Sequence, residues 1–251
     1  MSTTKVLDTQ VNIIRIGDEG SVEKIKLSSQ VYGKFEAPSD HLFVFGDPTD
    51  FMDGLTKKIK CCFRSMQEEC TNNESGKYLK DYKYVVYEKA REFVVNEKLS
   101  HRIRDEGHAG MTLHDFVKHP VAVEANLTEA EVAALRLYTG PLYTPWNDAL
   151  RLYPVNPQLV ENWGTCISVL YSAILKLSTK TKDIDKVYRG VNESKKKLPE
   201  RFLKARPGEF AGGIELAFMS TTTDMKVALE YANRGGQGKK SIFEIPFDYT
   251  R

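Results

Sequence analysis

The apolar residues of this chain change their period partway along, and that change limits the folds open to it. From Thr128 to Ser178 they recur at helical spacing, and after Ser178 they fall into short runs of strand type. Thr128-Glu129-Ala130-Glu131 has the form of a capping box, in which the Thr128 hydroxyl accepts an early backbone N–H and starts a helix. Val132, Leu135 and Tyr138 follow at helical spacing until Gly140-Pro141, a C-cap followed by a breaker. A second helix is predicted from Trp146 to Leu152, ahead of Pro154. A third begins near Pro157 and puts Val160, Trp163, Ile167, Leu170, Tyr171 and Ile174 on one face. Such stripes read as core.

Beyond Ser178, Lys186 to Val191 reads as a strand, as do Leu216 to Thr222 and Ser241 to Ile245. Met225 to Ala232 reads as a helix introduced by Asp224, and a basic, glycine-bearing connection runs from Asn192 to Gly213. Helices followed by strands point to an α+β fold rather than a doubly wound sheet. Upstream the signals are thinner. Val11 to Ile16 reads as a short strand before a turn, and His41 to Pro48 as a buried strand or docked loop. Phe51 to Ala109 is charged and interrupted, and is predicted to hold helices and loops. We therefore expect a mainly helical region over residues 1–125, of undefined role, and a second domain over residues 126–251.

Composition narrows the function classes. With 251 residues, 41% hydrophobic and 28% charged, the chain can bury a real core. A net charge of +2 gives no general reason to expect nucleic acid or an anionic membrane as partner. The start lacks the apolar run of a signal peptide, and no run approaches the roughly 20 residues of a membrane span. Cys61, Cys62, Cys70 and Cys166 are too sparse for a disulfide framework, so a reduced, cytoplasmic setting is the expectation. His101, His108, His114 and His119 show no metal-ligand spacing, and no metal is expected. Gly235 to Ser241 has phosphate-loop letters, but it leads from helix to strand where a phosphate loop needs the reverse order. Lys195, Lys196, Lys197, Arg201, Lys204 and Arg206 read as a solvated basic face.

Several short motifs then fall in a telling order. Tyr138-Thr139 precedes Trp146-Asn147-Asp148-Ala149-Leu150-Arg151; Val187-Tyr188-Arg189-Gly190 follows, and then Phe218-Met219-Ser220-Thr221-Thr222. In this order they resemble the arginine-type mono-ADP-ribosyltransferases. That family has a Tyr-Thr pair before an Asn-x-x-Leu-Arg helix, a Tyr-Arg-Gly-like strand, and a Ser-Thr-Ser-like triplet after an aromatic residue. Thr222 stands where the last serine is usual. The resemblance covers residues 126–251 and implies a helical prelude followed by a split β-sandwich. It also implies an NAD-dependent enzyme that moves ADP-ribose to an arginine side chain of a protein substrate and releases nicotinamide. NAD would be the co-substrate, with no metal, no nucleic acid and no membrane involved.

The chemistry of each position agrees with the resemblance. Arg189 offers a planar fork of donors suited to a pyrophosphate. On spacing alone it reads as a strand arginine paired with a surface acid, and its place in the motif series turns that reading. Gly190 removes a side chain where substrate could approach the backbone. In an extended strand Ser220 and Thr222 share a face with Phe218, and Ser220 is placed to support a carboxylate or the nicotinamide ribose. The resemblance thus assigns Arg189 and Ser220 as catalytic, and Arg189, Gly190, Ser220, Thr221 and Thr222 as NAD-binding. The family's Glu-x-Glu pair is missing: downstream acids are Asp224, Glu230, Glu244 and Asp248, and Glu129-Ala130-Glu131 lies upstream at a helix start. The expectation is a domain truncated before the glutamate strand. Two rivals stay open: an inactive transferase fold used as a binding module, and an unrelated α+β interaction domain.

Overall fold

The computed structural model describes residues 12–16, 22–26, 65–94, 103–153, 156, 158–180, 184–193, 216–234 and 238–246. They form an α+β protein whose chain divides into two compact units, Met1–Pro38 with Lys182–Arg251, and Ser39–Thr181. The first unit begins with strands β1 (Asn12–Ile16) and β2 (Val22–Lys26). The chain then builds the helical unit. Helices α1 (Met66–Asn72) and α2 (Leu79–Tyr87) are followed by a two-stranded ribbon, β3 (Phe93–Val94) with β4 (Ile103–Arg104). Next come α3 (Leu113–Val117), α4 (Pro120–Glu124), α5 (Glu129–Leu137), α6 (Tyr143–Leu152), α7 (Gln158–Glu161) and α8 (Gly164–Ser178). It returns to the first unit with β5 (Lys186–Asn192), α9 (Met225–Asn233) and β6 (Lys240–Pro246).

Local chemistry explains the helix starts. Ser65 with Glu68, Thr112 with Asp115, and Thr128 with Glu131 each form a reciprocal capping box. Helix α8 has no such device, because Trp163 at its N-cap supplies no side-chain bond. Glu69 from α1 does the work instead: its Oε1 accepts from Thr165 N at 2.7 Å and its Oε2 from Cys166 N at 2.9 Å. A carboxylate there meets both the first-turn amides and the positive end of the helix. Burial nevertheless raises the Glu69 pKa above its ordinary value, against those two bonds. Glu131 shows the opposite balance. Burial works to raise its pKa, but bonds from Lys176, Ser172 and Thr128 win and hold it at about 2.

The core of the helical unit is the stripe read from the sequence: Val160, Trp163, Ile167 and Leu170 are buried with Leu137, Leu142, Trp146 and Leu150. Tyr171 and Ile174, expected on the same face, are half-buried. Helix α5 does not simply end at Gly140-Pro141. The chain runs through a wide turn, Tyr138–Leu142, in which Gly140 leaves helical geometry, and goes straight into α6. Gly140 also lies against the Arg104 guanidinium, which an added Cβ would meet at 3.0 Å. A buried polar cluster closes this side of the unit. Asp105 Oδ2 accepts from Tyr84 Oη at 2.6 Å and from Arg136 Nη2 at 3.0 Å, and the Arg136 guanidinium lies over the Phe116 ring.

In the first unit the sheet order is β2-β1-β6-β5, antiparallel throughout. The strands predicted near residues 11–16, 186–191 and 241–245 are all present. The strand predicted over Leu216–Thr222 is not: only Thr222 pairs, in a single bridge to Tyr188. The capture of the chain by α9 accounts for this, since the Thr222 hydroxyl accepts from Asp224 N at 3.1 Å and Asp224 caps the helix through Lys226 N at 2.8 Å. The division expected after residue 125 falls within the helical unit, and β1 pairs with β6 from the far end of the chain. His41 to Pro48, the basic residues Lys195 to Arg206, His101 and Gly235 to Gln237 lie outside the described residues. No described helix is long and apolar enough to cross a membrane.

Candidate functional site

Strand β5 carries the Tyr188-Arg189-Gly190 motif, with β6 on one side and Thr222 on the other. Tyr188 N donates to Thr222 O at 2.7 Å, and Thr222 N to Tyr188 O at 2.9 Å. This bridge sets the two motif segments side by side. Arg189 tightens the approach: its Nη1 donates to Ser220 O at 2.8 Å. Arg189 is half-buried, Ser220 and Thr221 are exposed, and Thr222 is half-buried. Arg189, Gly190, Ser220, Thr221 and Thr222 therefore lie together at one edge of the sheet, where backbone pairing and the Arg189 bond to Ser220 O join the two segments.

The two faces of the sheet differ. Residues directly opposite one another in an antiparallel pair share a face. Arg189 lies opposite Phe243, while Gly190 lies opposite Ile242 and Tyr188 opposite Glu244. Helix α9 sits on the Gly190 face. A Cβ at Gly190 would come within 1.8 Å of Ala228 O and 2.9 Å of Ala232 N, and Asn192 Nδ2 donates to Ala232 O at 2.7 Å. The close approach expected at Gly190 is real, but what approaches is the α9 backbone.

Among the described acids of this unit, Glu193, Asp224 and Glu244 have structural partners. Glu244 faces away from Arg189 by strand alternation, and its Oε2 is 3.5 Å from Lys186 Nζ. Asp224 is the α9 cap. Glu193, which drew no attention in the sequence, is buried just past β5. Arg15 grips it with Nε at 2.9 Å and Nη2 at 2.8 Å, and the Ser241 hydroxyl donates to Oε1. Burial works to raise its pKa, but these bonds prevail and lower it. No local signal could have marked Glu193, because Arg15 lies 178 residues away and Ser241 48. In the helical unit, Tyr138 and Asn147 from the prelude motifs do meet: Asn147 Nδ2 donates to Tyr138 Oη at 3.0 Å, and Tyr138 stacks on Trp146. Glu129 and Glu131 start α5, and Glu131 is committed to the capping box, Ser172 and Lys176.

Compared with known proteins, the sequence matches the family model for NAD:arginine ADP-ribosyltransferase over residues 57–245. No curated protein and no solved structure gives a significant match. The match takes in most of the chain, including the Tyr-Thr pair, the Arg189 strand and the Ser220 segment, and so the protein belongs to the NAD:arginine ADP-ribosyltransferase family.

Proposed function

We propose that this protein binds NAD at the β5 edge and transfers ADP-ribose to an arginine side chain of a protein, releasing nicotinamide. The observation that carries the reading is the 2.8 Å bond from Arg189 Nη1 to Ser220 O, which joins the two motif segments. The donor set fits the co-substrate: a guanidinium suited to pyrophosphate oxygens stands beside the exposed hydroxyl-bearing residues Ser220 and Thr221. Arg189 would clamp the diphosphate and Ser220 would orient the nicotinamide ribose. Thr221 and Thr222 would line the same edge, with Gly190 holding it through α9. The finer architecture implied by the family, a split β-sandwich, belongs to the same proposal.

A second reading is favoured by the acids. Departure of nicotinamide develops positive charge on the ribose, and a carboxylate close to it lowers the barrier. Among the described residues of this unit, Glu193 is gripped by Arg15, Asp224 caps α9 and Glu244 lies on the face away from Arg189. A binding module that holds NAD without transfer is the outcome if no other carboxylate reaches the edge. Incubation with labelled NAD and agmatine separates the readings, alongside direct NAD titration. Transfer lost in Arg189→Lys supports the enzyme, and NAD binding without transfer supports the module. NAD affinity unchanged in Arg189→Ala would overturn both.

A further inference from the structure

Cys70 and Cys166 lie in the core of the helical unit, each fully buried, and neither is in a disulfide. Cys70 is in α1 and Cys166 in the first turn of α8, helices that pack on one another. The two thiols are in side-chain contact, and Glu69, beside Cys70 in sequence, accepts from Cys166 N at 2.9 Å. Two cysteines from segments far apart in sequence thus meet where α1 caps α8. We propose that Cys70 and Cys166 are a modification site: a disulfide-class oxidant converts them to an intramolecular disulfide that staples α1 to the start of α8.

The chemistry is two successive thiol–disulfide exchanges, with oxidised glutathione as the model oxidant. In the first, the Cys70 thiolate attacks a glutathione sulfur; the glutathione disulfide breaks, and one reduced glutathione leaves with the proton. In the second, the Cys166 thiolate attacks the Cys70 side of the mixed disulfide, and the second reduced glutathione leaves. The protein sulfurs lose two electrons and two protons in all, and the oxidant takes up both. The opposite order gives the same product; both thiols are buried, so local opening must first expose one of them. Burial pushes the Cys166 thiol well above its ordinary pKa, with contact from Cys70 adding to the effect. The reaction therefore waits on opening and is slow. Once formed, the bond also holds Glu69 against the α8 amides, since residues 69 and 70 move together.

The test uses the full chain with Cys61→Ser and Cys62→Ser, leaving the proposed pair intact. It is incubated with oxidised glutathione at mildly alkaline pH, with and without low urea to speed opening. Free thiols are then alkylated, and peptides are mapped without reduction. The expected product is a Cys70–Cys166 cross-linked peptide in a protein lighter by two hydrogens. Its Tm rises by roughly 5–10 °C, and reductant reverses the rise, because the bond closes a loop of about a hundred residues. Cys70→Ala gives no such rise. Recovery of both cysteines as free thiols, or glutathione adducts as the final product, would overturn the proposal.

Discussion

At Gly190 the α9 backbone fills the space that a Cβ would need. A glycine after an arginine in a strand reads as a place where something comes near the backbone, and the Ala228 carbonyl does so. Backbone atoms of a packed helix cannot swing aside as a flexible side chain can. Gly190→Ala is therefore expected to cost about 3 kcal/mol, the upper range for overpacking, measured by urea denaturation. Glu131 gives a residue-scale test with a sign. Its folded pKa, about 2, lies below the ordinary 4.5, because bonds from Lys176, Ser172 and Thr128 overcome burial. The stabilisation is complete above the unfolded value and is lost as pH falls from 4.5 towards 2. Wild type should lose about 3 kcal/mol more than Glu131→Gln across that window. Equal acid sensitivity of the two proteins would show that Glu131 is not the group concerned.

At the scale of elements, what was legible followed from chemistry within a few residues. The Thr128 box, the Asp224 cap and the strands around Arg189 and Ile242 all announce themselves locally. The strand predicted over Leu216–Thr222 is absent, because alternation does not register that the Thr222 hydroxyl and Asp224 already serve the next helix. The single helix predicted from near Pro157 is two, α7 and α8, and the start of α8 is held by Glu69, 96 residues upstream. Glu69→Ala removes the carboxylate that accepts from the Thr165 and Cys166 amides. The expected cost is about 2–3 kcal/mol, and hydrogen exchange should quicken at those amides before any other part of α8. If their protection survived, the long-range cap would be dispensable.

For the molecule as a whole, the sheet is built from both ends of the sequence. β1 lies between β2 and β6, and Arg15 on β1 holds the buried Glu193 carboxylate. The family match begins at residue 57, beyond both N-terminal strands, so a chain trimmed to the matched region loses them. Deletion of residues 1–26 bares the β6 edge and strands Glu193 without its cation. Loss of sheet signal in circular dichroism, with aggregation in size-exclusion chromatography, is the expected outcome. The Arg189 strand was legible because its alternation is local. The contribution of β1 was not, since it depends on a pairing that no window of sequence spans.

That pairing also sets an order of events during synthesis. The β1–β2 hairpin can form as soon as it emerges, and the helical unit, continuous in sequence, can follow. The inner edge of β1 must then wait for β6, whose residue 244 pairs with residue 12. Until then β1 keeps a row of unmet backbone donors and acceptors. The edge that carries Arg189 therefore cannot pair until Lys240–Pro246 has emerged, and a nascent chain paused before Lys240 presents a sticky ribbon that invites chaperone attention.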